Sequence, residues 1–385
     1  MSATAEFDDI RPYNDDEVGG VVNSLLNDAE FLDTIVRFKL PKLGPFIAPV
    51  IRPWVKKRLA REAAKVKVVY DFQTRIEAYL RHVIDTTVDS LTVSGLENLA
   101  RDKAHLFISN HRDIAMDPAF VNWTLYQNGF TTLRIAIGDN LLTKPFASDL
   151  MRLNKSFIVN RSATSPREKL KAAKLLSKYI FHSVKNDNEN VWIAQREGRA
   201  KDGDDKTNAA IISMIALNKE KQASFADYIR QLCIVPVSIS YEYDPCGYDK
   251  ARELTTKAMQ GEYKKQQHED VQSIAKGITG YKGNIHLSFG EPLNQEFENS
   301  EQVTAYLDKV ISQNYVLHPT NCFAYERLEK LSPRVPVGES GKLFCDLSLD
   351  QEREKFNRYV ENCPAEFRET LLKGYAKPVY CKLPQ

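Results

Sequence analysis

One histidine of the chain lies just after a short apolar run and close to two carboxylates. The run ends at Ser109, and His111 is followed by Asp113 and Asp117. A histidine beside a carboxylate is the minimal arrangement for general-base activation of a hydroxyl, because the carboxylate accepts the Nδ1 proton and leaves Nε2 free. The alternative is a loop histidine beside an aspartate that caps the next helix, with Pro118 at its first helical position.

The spacing along the loop favours Asp117 as the carboxylate that orients His111. Only one residue separates Asp113 from the histidine, and an aspartate at that spacing more often accepts from local backbone N–H groups in an Asx-turn. Asp117 comes at the expected start of the next helix, where the loop can bring it back to the strand end. We therefore expect Asp117 to be the catalytic partner and Asp113 to shape the loop, with Asp113 as the alternative partner.

Short apolar runs alternate with amphipathic stretches and predict the elements that position these residues. Their Val, Ile and Phe content is typical of strands buried on both faces. Such alternation predicts an α/β fold with a central mixed β-sheet flanked by helices, together with a helical N-terminal region. The strands are predicted at 105–109, 132–138, 156–160, 191–194, 233–243 and 284–290.

The clearest helix signal follows the third of these strands. Ser165 and Glu168 have the spacing of a capping box, and Pro166 occupies the first helical position. Apolar residues then recur at helical spacing. A further helix is predicted over 300–315.

The N-terminal region combines prolines with a high density of basic residues. Residues 37–67 hold ten Lys or Arg and one acid, interleaved with apolar side chains. This mixture predicts contact with an anionic membrane surface; the alternative is a helical region whose apolar residues pack on the catalytic core. A long helix is predicted from Trp54 to Ile84. Four prolines are expected to prevent a continuous helix before it, namely Pro41, Pro45, Pro49 and Pro53.

Composition excludes several classes of protein. The formal net charge of +2 gives no reason to expect a nucleic-acid partner. Six cysteines without a CxxC pair favour free thiols in a reducing compartment over a zinc site or a disulfide framework. The first residues have no apolar signal segment, and no apolar stretch approaches the roughly 18 to 20 residues of a membrane span. We expect a cytoplasmic protein, soluble or peripheral on the inner face of a membrane.

The change of texture along the chain predicts three segments. A helical and basic N-terminal region is expected over 1–94, a catalytic domain over 95–300 and a helical C-terminal extension over 301–385. Three further histidines lie in apolar runs and are predicted to be packed residues; they are His105, His182 and His286.

Four short motifs occur in order along the predicted catalytic domain. They are NHRDIAMDPAFV (110–121), NKSFIVNR (154–161), REGRAKDG (196–203) and IVPVSISYE (234–242). Together they resemble the motifs of the glycerolipid acyltransferase family, which includes glycerol-3-phosphate and 1-acylglycerol-3-phosphate O-acyltransferases. The Asp-Pro-Ala of the first motif is similar to that of the soluble plant-type enzymes.

The resemblance implies a role for each matching residue. It implies that His111 and Asp117 are catalytic. The residues that would bind the acceptor and its phosphate are Arg161, Gly198, Arg199 and Lys201. The residues that would support the motifs are Asn110, Phe157, Glu197 and Pro236. A structural alternative stays open at several of these positions, such as an ion pair, a turn glycine or a solvated loop charge.

Two departures from the family pattern affect these roles. Five residues separate His111 from Asp117, where the family has four. In the third motif Arg196 stands where the family has Glu, and Glu197 stands where it has Gly. Because the third motif shapes the acceptor pocket in the family, the second departure leaves the acceptor's identity open.

The function that the resemblance implies is O-acyl transfer. A fatty acyl group would move from an acyl-CoA or acyl carrier protein thioester to a hydroxyl of glycerol 3-phosphate or a lysophospholipid, with no acyl-enzyme, no cofactor and no metal. Two alternatives are a non-catalytic lipid-surface binding protein with degenerate motifs and a thioesterase-like hydrolase. A Gly-x-Ser-x-Gly elbow, which would favour a hydrolase, does not occur in the sequence.

Overall fold

The computed structural model describes residues 5–40, 44–266 and 268–383. The chain forms two compact units, the first of residues 1–80 and 134–175 and the second of residues 81–133 and 176–385. The three segments predicted from the sequence stay a prediction, because the two units are defined by which residues lie close together and not by which residues take part in catalysis.

The described residues contain fifteen α-helices, numbered here in chain order. They are α1 (Val18–Asn27), α2 (Ala29–Lys39), α3 (Gly44–Ala63), α4 (Val69–Thr87), α5 (Met116–Gln127), α6 (Pro145–Leu153), α7 (Pro166–Lys185), α8 (Ala209–Ile215), α9 (Phe225–Gln231), α10 (Gly247–Gln260), α11 (Glu269–Thr279), α12 (Ser300–Asn314), α13 (Pro319–Glu329), α14 (Asp350–Asn362) and α15 (Arg368–Lys382).

Nine strands accompany these helices within the same described ranges. They are β1 (Val88–Ser94), β2 (Leu106–Ser109), β3 (Arg134–Gly138), β4 (Ser156–Val159), β5 (Val191–Ala194), β6 (Ile234–Tyr241), β7 (Gly283–Phe289), β8 (Pro336–Val337) and β9 (Lys342–Leu343). All six predicted strands are present, as β2 to β7, and the helix predicted over 300–315 is α12.

The second unit is built on a mixed sheet with the strand order β1-β7-β6-β2-β5. Strands β2, β5 and β6 run parallel to one another, and β7 runs antiparallel to β6 and parallel to β1. Every residue of β2 and β6 is buried, as expected for central strands with helices on both faces. The predicted α/β fold with a central mixed sheet is confirmed.

Strand β1 was not predicted. It lies at the edge of the sheet, and none of its seven residues is fully buried. Its sequence therefore lacks the dense apolar run that marks β2 and β6, and only its pairing with β7, for example Leu91 with Ile285, makes it a strand.

The second unit also contains a core rich in aromatic residues, formed largely by α13, α14 and α15. Phe323, Phe356 and Tyr375 are buried there, and the ring of Phe356 lies 5.5 Å from that of Tyr375 in an edge-on contact. Helix α10 belongs to the same cluster through Ala251. The C-terminal helices thus pack firmly against the element that follows β6.

The first unit contains the parallel pair β3–β4 and most of the N-terminal helices. A small core joins Val18 and Leu25 of α1 to Val66 and to Leu153 of α6. The capping box predicted before α7 is present, since Ser165 Oγ accepts from the backbone N–H of Glu168 at 3.2 Å.

The prediction for the N-terminal helices was wrong in two respects. Helix α3 runs without a break through Pro49 and Pro53. Both prolines are exposed, so the carbonyls that lose their helical N–H partners lie on the solvent side, where water can donate to them. Pro41 lies outside the described residues.

The second error concerns the long helix predicted from Trp54 to Ile84. The structure has two helices there, α3 and α4. The break between α3 and α4 falls in a stretch rich in valine, which lowers helix propensity. The carboxylate of Asp71 accepts from the backbone N–H groups of Lys67 and Val68 at 2.7 and 3.1 Å and so begins α4.

No helix of the described residues is both long enough and apolar enough to cross a membrane.

Candidate active site

Two loops that follow neighbouring parallel strands meet at the carboxyl edge of the sheet. Strands β2 and β5 end at the paired residues Ser109 and Ala194. The loops after them carry the first and third motifs, and the backbone N–H of Ala200 donates to the carbonyl of His111 at 2.7 Å. Carboxyl ends of parallel strands gather functional groups for this geometric reason.

His111 lies against Asp117, with 2.9 Å between Nδ1 and Oδ2. Asp117 is fully buried, while 13% of the histidine side chain is exposed. Because an ionised carboxylate can only accept, Nδ1 carries the proton of the neutral imidazole. Nε2 makes no hydrogen bond to any other residue that the structure describes, so its lone pair is available at the surface of the site.

The Asp117 carboxylate is held from both sides. Oδ2 also accepts from the backbone N–H groups of Arg112 at 2.6 Å and of Asp113 at 2.9 Å. Oδ1 accepts from the hydroxyl of Tyr241 at 2.7 Å. Four donors therefore surround a buried carboxylate, which is the condition under which burial of its charge is tolerated.

Asp113 is turned away from the histidine ring and begins helix α5. Its Oδ1 accepts from the backbone N–H groups of Ala115 and Met116 at 2.9 and 2.8 Å. The helix consequently starts at Met116, two residues before Pro118, rather than at the proline. Burial raises the pKa of Asp113, and repulsion from Asp117 adds to the rise.

Asn110 ties the histidine loop to the central strand. Its Oδ1 accepts from the backbone N–H of Ile239 at 2.8 Å, and its Nδ2 donates to the carbonyl of the same residue at 2.9 Å. The side chain thus extends the pairing of β2 with β6 by one more step. Pro236 lies buried in β6 opposite Ile108, where it contributes to the sheet and not to the surface of the site.

A network of charges behind the loop was not predicted. The guanidinium of Arg112 pairs with Asp205 at 2.6 Å, and Lys250 Nζ donates to the carbonyl of Arg112 at 2.6 Å. Burial acts to lower the pKa of Arg112, but Asp205, Tyr315 and Asp244 together raise that pKa above its ordinary value. Asp205 also accepts from Asn110 Nδ2 at 3.0 Å, so the first and third motif loops share one carboxylate.

The residues of the third motif loop differ in their exposure and in their partners. Gly198 has φ +72°, a backbone conformation that favours glycine, and a side chain there would meet open space. Arg199 is partly buried, with Nη2 3.3 Å from Ser273 Oγ. Lys201 forms an ion pair with Glu253 of α10, which offsets its charge. Glu197 is exposed.

Arg161 and Phe157 belong to the first unit. The backbone N–H of Arg161 donates to Asp139 Oδ1 at 3.1 Å, and its side chain lies against Gly138, where a Cβ would come within 2.9 Å of Nε. Phe157 is fully buried in β4. The structure therefore joins His111, Asp117 and the third motif loop within one unit, and it assigns these two residues to the other.

A cavity of about 40 Å³ lies beside the charge network, lined by Arg112, Lys201, Tyr241, Lys250 and residues of α10 and α15. A single water needs roughly 10–15 Å³ on this measure, so the cavity has room for a few waters and not for an acyl chain. Among the described residues, no three His, Cys, Asp or Glu side chains come together as metal ligands would.

Comparison with known proteins relates the chain to a family of enzymes and to solved structures. The family model described as Acyltransferase matches residues 90–240, which include His111, Asp117 and the third motif loop. The crystal structure of the 1-acyl-sn-glycerophosphate acyltransferase PlsC from Thermotoga maritima is similar over 73% of this chain and 95% of its own, with 18% identity and a TM-score of 0.38. No curated protein sequence matches significantly.

Proposed function

We propose that this acyltransferase, whose family model matches residues 90–240, moves a fatty acyl group from a thioester to a hydroxyl of a glycerolipid acceptor. The observation that supports this proposal most is the buried pair of His111 and Asp117, in which Nδ1 is bound and Nε2 is open. An open Nε2 is what a general base needs in order to reach a substrate hydroxyl.

The proposed reaction uses that geometry. Nε2 of His111 takes the proton of the acceptor hydroxyl as its oxygen attacks the thioester carbonyl. The negative charge of Asp117 stabilises the imidazolium that forms. The tetrahedral intermediate collapses, the C–S bond breaks, and the thiolate leaves and takes the proton from Nε2. The acceptor hydroxyl thus replaces the catalytic serine of a hydrolase, no acyl-enzyme forms, and neither a cofactor nor a metal takes part.

The acceptor is proposed to carry a phosphate, as glycerol 3-phosphate and lysophospholipids do. Arg199 is one residue from Ala200, whose N–H holds the carbonyl of His111, so a phosphate on Arg199 would lie near the base. A guanidinium binds phosphate bidentately, and Gly198 lets the backbone approach a ligand closely. Lys201 should contribute less, because Glu253 already neutralises it. Arg161 keeps, as a proposal, the phosphate-binding role that the resemblance implies for it.

The exposed face of α3 supports the proposal that the protein binds an anionic membrane surface, where it would encounter its lipid substrate. Val50 and Trp54 are 74% and 78% exposed. Lys57 and Arg61 follow at helical spacing on the same face and are also exposed. Apolar residues that enter the lipid interface beside cations that attract anionic headgroups are typical of interfacial helices.

The enzyme assay uses purified protein with labelled palmitoyl-CoA or palmitoyl-acyl carrier protein and a set of acceptors. Glycerol 3-phosphate, lysophosphatidic acid and glycerol serve as the acceptors, and His111→Ala is the control. Labelled glycerolipid that disappears in His111→Ala supports the proposal. Label recovered as free fatty acid with every acceptor would instead assign the chain to hydrolysis, and unreacted thioester throughout would favour the non-catalytic reading.

The acceptor phosphate is tested by comparing two cations of one loop. Arg199→Ala should raise the KM for the phosphorylated acceptor about tenfold or more, since a hydrogen bond to a charged group contributes roughly 1.5–3 kcal/mol. Lys201→Met should raise it less, and neither change should affect the KM for the thioester. Equal effects on both substrates in Arg199→Ala would contradict the phosphate assignment. Arg161→Ala is measured in the same way.

Membrane contact is tested by sedimentation with vesicles that contain anionic lipid, at low and high salt. Trp54→Ala should reduce binding, whereas Tyr70→Ala, a change at another exposed aromatic residue of the first unit, should not. No binding of the unaltered protein at low salt would exclude this role for α3.

A further inference from the structure

We propose that Tyr241 is a positioning residue for the acyl transfer, whose hydroxyl keeps Asp117 ionised and correctly oriented for His111. This role rests on the proposed function, because Tyr241 acts through the His111–Asp117 pair and does not touch the substrate in it. The tyrosine belongs to β6, and its hydroxyl reaches Asp117 Oδ1 at 2.7 Å from a position 124 residues further along the chain.

The two carboxylate oxygens of Asp117 accept hydrogen bonds from different parts of the molecule. Oδ2 accepts its three hydrogen bonds from the histidine loop itself. Oδ1 accepts from Tyr241 and from no other residue that the structure describes. Asp117 has no exposed surface, so water does not replace that donor. Without the phenol, half of a buried carboxylate would be unsatisfied, which is strongly unfavourable for the charged form.

Tyr241 is itself held rigidly enough to orient a carboxylate. Its backbone pairs with Ile285 of β7, its side chain is buried, and its ring packs on Phe120 with 6.0 Å between centroids. Burial raises the pKa of Tyr241 well above its ordinary value, and the charges of Asp117 and Asp113 add to the rise. The phenol therefore keeps its proton and remains a donor at neutral pH.

The charges around Asp117 come from several elements. Asp113 repels the ionised form of Asp117, and the hydrogen bond from Tyr241 offsets that repulsion. The titratable and charged groups near the pair are His111, Arg112 and Asp113 of the loop, Tyr241 of β6, Asp244 after β6, Lys250 of α10 and Lys282 before β7. A hydrogen bond to a carboxylate favours its charged form, so without this bond the His111–Asp117 pair should take up a proton at higher pH. The acid limb of the activity profile should then move to higher pH.

The test compares two buried tyrosines. Tyr241→Phe removes the hydroxyl on Asp117, and Tyr228→Phe removes an equally buried hydroxyl that donates to the carbonyl of Ile215 at 3.0 Å. We measure kcat/KM against pH for both variants. In Tyr241→Phe we expect the acid limb to move up by about one pH unit and activity below it to fall about tenfold, since a factor of ten in an equilibrium corresponds to one unit. Tyr228→Phe should leave the limb unchanged.

A limb that stays in place in Tyr241→Phe would overturn the proposal, even if overall activity falls. Replacement of Tyr241 by 3-fluorotyrosine preserves shape and strengthens the donor, so it covers the case in which the phenylalanine variant does not fold. We expect it to move the limb to lower pH, and an unmoved limb would again count against the role. Full activity in His111→Ala and Asp117→Asn would contradict the proposed mechanism instead, which separates the two failures.

Discussion

His111 and His286 each have a carboxylate beside Nδ1, yet the two histidines differ in whether Nε2 has a hydrogen-bond partner. At His111 the acid is Asp117, fully buried and 2.9 Å away, and Nε2 is open. At His286 the acid is Glu339, which is 51% exposed and 3.3 Å away. Thr92 Oγ1 also contacts Nδ1 there at 2.8 Å, and Ser94 Oγ occupies Nε2 at 3.0 Å.

The position of each histidine along its strand explains the difference. His286 lies within β7, between β1 and β6, and β1 supplies both of the hydroxyls that contact its ring. His111 lies beyond the end of β2, where the sheet no longer surrounds it. We therefore expect that a carboxylate near a histidine is not sufficient for catalysis. The carboxylate must be fixed, and the far ring nitrogen must face a space that a substrate can enter.

The largest effect that this comparison predicts is on activity. His111→Ala should lower kcat about 10²- to 10⁴-fold, the usual contribution of a general base. His286→Ala should leave kcat within a few-fold but lower the melting temperature, because it empties a buried site and leaves two hydroxyls without their partner. Steady-state kinetics and thermal unfolding of both variants provide the measurement.

A large loss of kcat in His286→Ala, with unchanged unfolding, would break the comparison. It would mean that the histidine in β7 works in the reaction in spite of its occupied ring nitrogens.

The next effect concerns the two aspartates of the histidine loop. In Asp117→Asn the amide oxygen should take the place of Oδ2, because two backbone N–H groups point there, and its NH₂ should face Tyr241. The histidine tautomer then survives, but the charge that stabilises the imidazolium is lost. We expect kcat to fall at least about 10²-fold. Asp113→Asn keeps an acceptor for the helix start and should be mild.

The two asparagine variants are compared by kcat and by melting temperature, and the melting temperatures should change little. An inactive Asp113→Asn beside a nearly normal Asp117→Asn would reverse the assignment of the two acids.

How much of the site could be predicted depends on how far apart its parts are in sequence. The His111–Asp117 contact and the turn at Asp113 could be predicted because both are local, and loop spacing constrains them. Tyr241 and Asp205 could not, since their contacts with the loop depend on the register of β6 against β2 and on the path of the loop after β5. Tyr241 has no sequence signal apart from its place in the fourth motif, and Asp205 lies two residues beyond the third.

The same contrast holds for the fold. Strands β2 and β6 could be predicted because both of their faces are buried, which gives a dense apolar run. Strand β1 could not, because one partner strand alone defines it. Helix α3 shows the opposite error. The prediction excluded a continuous helix there because of Pro49 and Pro53, but both prolines lie on the exposed side, where a helix can contain them.

A smaller effect is expected on stability at acidic pH, where buried histidines should lower it. Burial lowers the pKa of His318 to about 4 from the ordinary 6.5, and it lowers the pKa of His286 as well. A lowered histidine pKa means that the folded state resists protonation. Stability is then complete above pH 6.5 and falls as the pH drops toward 4. For His318 the loss over that window is roughly 3 kcal/mol.

His318→Asn tests this origin, because asparagine retains a side-chain acceptor for the start of α13. Chemical unfolding at several pH values should show a flatter dependence below pH 6.5 in the variant, whatever its stability at neutral pH. A slope equal to that of the unaltered protein would assign the acid sensitivity to other groups.

The smallest expected effect is that of Glu339→Gln, which bears most directly on the comparison. The glutamate is half exposed, and exposed ion pairs contribute roughly 0–1 kcal/mol. Glutamine can still reach His286, so we expect unchanged kcat and an unfolding free energy within about 0.5 kcal/mol of the original. Asp117→Asn, the same loss of one charge beside the other histidine, is the matched change. If Glu339→Gln lowered kcat to a comparable extent, the exposure of the carboxylate and the occupancy of Nε2 would no longer separate a catalytic histidine from a structural one in this chain.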